Sequence, residues 1–224
     1  MLSKNTLILF LKNPDPGFVK KRLAKDIGKD NASFLYRLFV EAILKRTEPG
    51  RFKRMIFYTP SAKKKEIQNW IGRKITMYPQ KGKNLGSRLS YAFRLAFQKG
   101  AKRVVAIGTD MPLIDNKIIR SAFQKLENRQ CVIGPCFDGG YYLLGLSHFY
   151  RGVFQNIAWG TDRVFKQTLN ILKSAKLGYC YLDKCHDIDN IEDLAAIKRR
   201  LQKMDKRKRA GLIPMVKAIN KIIA

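Results

Sequence analysis

The chain alternates between short apolar runs and longer stretches in which apolar residues return every three or four positions. Residues 5–11, 54–59, 74–78 and 103–108 are runs of the length and composition of buried strands. Between the first two, Phe34, Leu35, Leu38, Phe39, Ala42 and Ile43 mark the packing face of a helix over 31–46. Further helical patterns cover 62–71, the segment from the Gly82–Leu89 turn to Phe97, and 115–128. Strands and helices in alternation predict an α/β fold: a mostly parallel twisted sheet with helices on both faces. Two later runs, Cys131–Pro135 and Tyr141–Leu146, flank Asp138-Gly139-Gly140, which is hairpin chemistry. Ser87 is the candidate N-cap of the helix ending near Phe97, with Arg88 in its first turn. Thr161 or Asp162 is the candidate cap of an amphipathic helix carrying Val164, Phe165, Thr168, Leu169 and Leu172.

The strand Val104–Ile107 runs straight into Gly108-Thr109-Asp110-Met111-Pro112. Pro112 forces Met111 toward an extended conformation, so the chain leaves the strand as a loop. The Asp110 carboxylate then sits at the C-terminal edge of the sheet, where open α/β sheets bind ligands. The loop after the first strand holds Pro14, Pro16 and Gly17, followed by Lys20, Lys21 and Arg22. Backbone N–H groups and cations at such a place suit a phosphate, although a charge run is more often a solvated face. Paired glycines at 139 and 140 let a backbone come close to a substrate. Asp187-Ile188-Asp189 puts two carboxylates within reach of one hard divalent cation, while Glu192 and Asp193 fit the first turn of a helix.

The formal charge of +28 permits attraction to polyanions or phosphorylated substrates. It comes without an RNA-recognition, zinc-finger or helix-turn-helix signature, which disfavours nucleic acid as the partner. Eight basic residues fall between 198 and 209, and Leu212, Ile213, Met215, Val216, Ile219, Ile222 and Ile223 then mark one face of a short helix. Residues 1–201 are therefore read as one domain and 202–224 as a basic amphipathic tail. The tail can dock on its own domain, join two subunits in a homodimer, or lie on an anionic inner-membrane surface. No apolar run is long enough to span a bilayer, and Met1-Leu2-Ser3-Lys4 does not open a signal peptide. The expected location is cytoplasmic. The pairs Cys131/Cys136 and Cys180/Cys185 have the wrong spacing for a metal knuckle and read as reduced, packed thiols. A serine hydrolase would have to use His148 or His186, and neither has a nucleophile-elbow partner, for the chain holds no Gly-x-Ser-x-Gly.

Five segments in order carry a resemblance. They are Lys12-x-Pro14-x-Pro16-Gly17-x-Val19-Lys20-x-Arg22-Leu23, Gly108-Thr109-Asp110-x-Pro112, Gly134-Pro135-x-x-Asp138-Gly139-Gly140-Tyr141, Trp159-Gly160-Thr161 and Asp187-Ile188-Asp189-x-x-Glu192-Asp193-Leu194. As a set, over residues 5–201, they resemble a bacterial group of GT-A-fold, glycosyltransferase-like proteins, some linked to arsenosugar biosynthesis. That group is related to the molybdenum-cofactor and phospholactate guanylyltransferases. The resemblance implies a single GT-A-like (nucleotide-diphospho-sugar transferase) domain with Mg²⁺ or Mn²⁺ as cofactor. It implies Asp110 and Asp189 as metal ligands, and Asp110, Asp138 and Lys20 as catalytic groups. Lys12, Pro16, Gly17, Lys20, Arg22, Arg88 and Thr109 would bind the nucleotide, and Gly139, Gly140, Tyr141 and Trp159 the sugar or acceptor. Two positions depart from the pattern: Lys21 stands where the group commonly has Thr, and Asn84 where it has Asp.

Three functions fit this reading. The first is metal-dependent transfer from a nucleotide-sugar to a small-molecule acceptor. The second is nucleotidyl transfer from a nucleoside triphosphate. The third is a non-catalytic basic module that binds RNA or an anionic membrane. The first two require Asp110, and the third does not.

Overall fold

Strand β1 (Asn5–Lys12) is buried on both faces and pairs in parallel with β2 (Lys53–Thr59) on one side and β4 (Arg103–Ile107) on the other. β3 (Thr76–Pro79) extends the sheet beyond β2, starting two residues later than the apolar run suggests. Past β4 lie β6 (Tyr141–Leu146), β5 (Cys131–Pro135) and β7 (Tyr179–Tyr181), giving seven strands in the order β3-β2-β1-β4-β6-β5-β7. Among them β6 alone runs antiparallel, because the Asp-Gly-Gly turn folds it back on β5. The described residues of this computed structural model are 4–48, 50 and 52–223. The expectation about a signal peptide at Met1-Leu2-Ser3 lies outside them, as does the side chain of Lys208 in the basic block.

Alternating side chains divide the core between the two faces of the sheet. Leu7, Leu9 and Leu11 point to α2 (Lys29–Arg46), α3 (Lys64–Ile71) and α5 (Asn116–Lys125). Ile8, Met55 and Phe57 point to α4 (Leu85–Gln98) and α6 (Val164–Ser174). A third cluster lies beyond the sheet. There the outer side of α2 and the short α1 (Leu23–Ile27) meet α7 (Ile191–Gln202) and, after the short basic α8 (Lys206–Arg209), α9 (Ile213–Ile222). The C-terminal helix thus packs on its own domain through Met215, Ala218 and Ile219. Pro214 sits in its first turn, where a missing N–H costs nothing. No described helix is long and apolar enough to cross a membrane.

Two caps differ from expectation. Asn84, not Ser87, caps α4: its side chain accepts from the Ser87 N–H at 2.9 Å, and the Ser87 hydroxyl accepts from the Asn84 N–H at 3.1 Å. Ser87 is therefore the third-position partner of a capping box. The residue that replaces the group's Asp keeps the cap without a charge. α6 has Arg163 at its N-cap position with no side-chain cap, so neither Thr161 nor Asp162 caps it; Thr161 Oγ1 accepts from the Arg163 N–H at 3.3 Å, two residues too early.

Candidate active-site cleft

Because β4 turns back to the other side of β1 from β2, the connections leave the C-terminal ends of β1 and β4 in opposite directions and a crevice opens between them. It is a cleft of about 630 Å³. Tyr36 of α2 braces its base. Its buried hydroxyl accepts from the Lys12 N–H at 2.8 Å and from Thr109 Oγ1 at 3.2 Å, so the ends of β1 and β4 share one anchor. Burial pushes the Tyr36 hydroxyl well above its ordinary pKa, so it stays neutral.

One wall of the cleft is charged. The loop after β1 turns Lys20 inward through a left-handed backbone conformation (φ 46°). The Lys20 side chain is 3% exposed and its ammonium pairs with the Asp110 carboxylate. It also donates to the Ile188 carbonyl at 2.7 Å and lies 3.5 Å from Asp189 Oδ1. The Ile188 N–H donates in turn to the Asp110 carbonyl at 3.0 Å, pinning the loop after β4 to the segment before α7. Arg22, 77% exposed, reaches Asp189 Oδ2 at 3.5 Å. Asp193 does not join the acids: it accepts from the N–H groups of Asp189 and Asn190 and completes the capping box of α7. Asp187 lines the cleft beside Asp110 and accepts from the Cys136 thiol at 3.2 Å. Burial raises its pKa to about 6; the charges of Asp110 and Asp138 push the same way, against the thiol hydrogen bond and Lys20.

The other wall is aromatic. Tyr141 and Trp159 meet edge to face with centroids 6.2 Å apart, and both line the cleft with Gly140. Trp159 fits because Gly86, in the first turn of α4, has no side chain. A Cβ there would collide with Trp159 Nε1 and lie 2.8 Å from the Phe154 carbonyl. Asp138 sits at the hairpin tip with one carboxylate oxygen held by the Gly140 N–H at 2.9 Å. Arg88 lines the mouth and donates to the Gly82 carbonyl at 3.1 Å.

The structure therefore brings Lys12, Lys20, Arg22, Arg88, Thr109, Asp110, Asp138, Gly140, Tyr141, Trp159 and Asp189 to one cleft. Pro16, Gly17 and Gly139 are not among its lining. Gly17 shapes the β1 loop (φ 81°), and Gly139 (φ 86°) has the Asp162 carbonyl where a Cβ would project. Sequence reasoning missed Tyr36, whose polar end is hidden in an apolar helical pattern, and Gly86, whose only role is to leave room. It also left Asp187 without a separate role. The four cysteines are free thiols, as their spacing suggests; Cys136 and Cys185 face each other across an isolated β-bridge, and Cys131 and Cys180 lie on the paired strands β5 and β7.

The fold is that of the nucleotide-diphospho-sugar transferase class. Within it, the chain belongs to a family of uncharacterised proteins conserved in bacteria (DUF2064), whose pattern matches residues 43–161. A protein from Desulfovibrio desulfuricans G20, provisionally named a nucleotide-diphospho-sugar transferase, is 32% identical over 99% of each chain, with a TM-score of 0.90. A cytidylyltransferase from Leptospira borgpetersenii shares the fold at 15% identity, TM-score 0.54, over 98% of this chain and 94% of that one. So does Rv0371c from Mycobacterium tuberculosis H37Rv, solved with manganese, at 12% identity and TM-score 0.50, over 88% and 98%. No curated protein matches the chain.

Proposed function

We propose that the protein is a metal-dependent transferase that takes a nucleotide-sugar as donor and a small hydroxylated molecule as acceptor. The supporting observation is that one cleft joins an acid pair, exposed cations and an aromatic wall. Arg22, Arg88 and Lys12 line it and suit a diphosphate; Tyr141 and Trp159 offer flat apolar surface to a sugar ring or base. Asp138, at the hairpin tip, takes the proton from the acceptor hydroxyl as its oxygen bonds to the anomeric carbon and the nucleoside diphosphate leaves.

Two carboxylates, on Asp110 and Asp189, and the Ile188 carbonyl converge on one point. An all-oxygen set of this kind fits Mg²⁺ or Mn²⁺ that draws its remaining ligands from phosphate and water. Among the described residues no group of three or more His, Cys, Asp and Glu is arranged to hold a metal by itself, so the donor's phosphates would complete the shell. A bound divalent ion supplies charge neutralisation of the leaving diphosphate.

Nucleotidyl transfer is the second reading, favoured by the number of cations, since three basic side chains beside an acid pair suit a triphosphate. A thermal-shift screen of nucleoside triphosphates and nucleotide-sugars, each with Mn²⁺ and with EDTA, separates the readings. A metal-dependent shift of a few degrees with a diphospho-sugar supports glycosyl transfer, and one confined to a triphosphate supports nucleotidyl transfer. Stabilisation by RNA or anionic vesicles that survives Asp110→Ala, with no nucleotide response, would replace both with a basic binding module.

A further inference from the structure

We infer that Lys20 is the resident counter-ion of the acid pair and competes with the divalent cation for Asp110 and Asp189, rather than serving as a phosphate ligand. The inference rests on the metal assigned to these acids in the proposed function.

The ammonium is engaged on three sides: it pairs with the Asp110 carboxylate, donates to the Ile188 carbonyl and lies within ion-pair distance of Asp189 Oδ1. Those contacts face it away from a phosphate, and a side chain 3% exposed presents little charge to the cleft. Phe39 lies beneath it, its ring centre 5.9 Å from the ammonium. The positive φ at Lys20 costs an L-residue energy and persists only where the surroundings hold it. The contacts around it are the acid pair and the Ile188 carbonyl at the ammonium, and the Ala24 N–H, which donates to the Lys20 carbonyl at 2.8 Å. Arg22 is the contrasting case: two positions on, it is 77% exposed and can reach a phosphate while keeping its contact with Asp189.

The two acids face both ways. Asp110 and Asp189 are 49% and 40% exposed, so part of each carboxylate opens to the cleft while Lys20 engages the inner side. A divalent ion using both carboxylates meets a fixed positive charge a few ångströms off, and like charges at that range strongly oppose each other where solvent is scarce. Metal entry therefore requires Lys20 to withdraw or leaves the ion weakly held until phosphate adds negative charge. The site stays closed to free metal and opens to metal that arrives with nucleotide.

The test is Mn²⁺ binding, read by electron paramagnetic resonance without nucleotide, on the wild type, Lys20→Met and Arg22→Met. Lys20→Met should bind Mn²⁺ at least tenfold more tightly than the wild type, and Arg22→Met by a smaller factor. Equal or weaker Mn²⁺ binding by a folded Lys20→Met overturns the inference, as would a Lys20→Met whose sole defect is lost nucleotide affinity. Because that variant could fail to fold, the wild type is also labelled with ¹⁵N-lysine. The protected ammonium resonance of Lys20 should shift or vanish as Mg²⁺ and nucleotide saturate the protein; a resonance unmoved at saturation also overturns it. If no form binds Mn²⁺ with or without nucleotide, the metal of the proposed function fails and the inference falls with it. Metal binding unaffected by Lys20 defeats the inference alone.

Discussion

The two walls of the cleft are built by opposite means. The charged wall joins Lys20, Asp110 and Asp189, residues 90 and 79 positions apart in turn, and it holds together by ion pairs and one shared main-chain pin. The aromatic wall comes from 138–159 and is placed by steric fit: a hairpin, an edge-to-face ring pair and a glycine that leaves room for Trp159. Charge placement is directional but sensitive to pH, salt and bound ions. Steric placement ignores all three and fails to a single methyl group. One wall can therefore respond to a ligand while the other stays as a fixed surface.

Asp110→Asn should have the largest effect. It is expected to remove the metal-dependent thermal shift with nucleotide ligands and to lower any transfer rate by a hundredfold or more. Retained metal-dependent binding in that variant would break the assignment of the charged wall.

Gly86→Ala attacks the other wall. The new Cβ has no room, and overpacking of this kind costs about 1–3 kcal/mol, which lowers the melting temperature by roughly 3–10 °C for a chain of this size. Trp159 fluorescence should change in parallel, while Mn²⁺ binding stays as in the wild type.

Asp187→Asn tests the electrostatic wall through pH. In the metal-free protein, measured in EDTA, the folded state holds the Asp187 proton up to about pH 6, whereas the unfolded chain releases it near pH 4. Folding thus takes up a proton between those values, and the stability this group contributes is full below about pH 4 and is lost as pH rises through 6. The Asn variant escapes that loss, so its advantage should grow from pH 4 to 6 and reach about 1–3 kcal/mol above it. Equal pH profiles in chemical denaturation would show that Asp187 is better solvated than its burial implies.

Arg22→Ala should have the smallest effect on stability, within about 0.5 kcal/mol, because its ion pair with Asp189 is exposed. Nucleotide affinity should still fall about tenfold. A stability loss as large as that of Gly86→Ala would mean that Arg22 holds the wall together instead of facing the ligand.

Much of this was legible in the chain. Four apolar residues ending in Gly-Thr-Asp place Asp110 at a strand end, and Asp138-Gly139-Gly140 makes the one antiparallel strand. The strand order, with β4 beside β1, follows from neither, since it depends on which faces the helices cover. The run Lys20-Lys21-Arg22 reads as three equivalent cations, and only the backbone turn at Lys20 separates the buried one from its exposed neighbours. Tyr36 was hidden because its partners lie 24 and 73 positions away, and helical periodicity reports a face, not a hydroxyl. At α4, Asn84 and Ser87 are both good caps three residues apart, and their reciprocal bonds show that the sequence contained both halves of one motif.

Tolerance to substitution takes an unusual form at Ile188. Its N–H and carbonyl serve Asp110 and Lys20, while its side chain is buried with Leu113 and Leu194 in the cluster that also receives the C-terminal helix. The cleft therefore depends on position 188 only through its main chain. Valine or leucine there would leave both bonds in place and be judged by packing alone, whereas proline would delete the donor to Asp110. A residue with the side chain of ordinary core filling thus carries a joint of the cleft that no side-chain comparison would reveal.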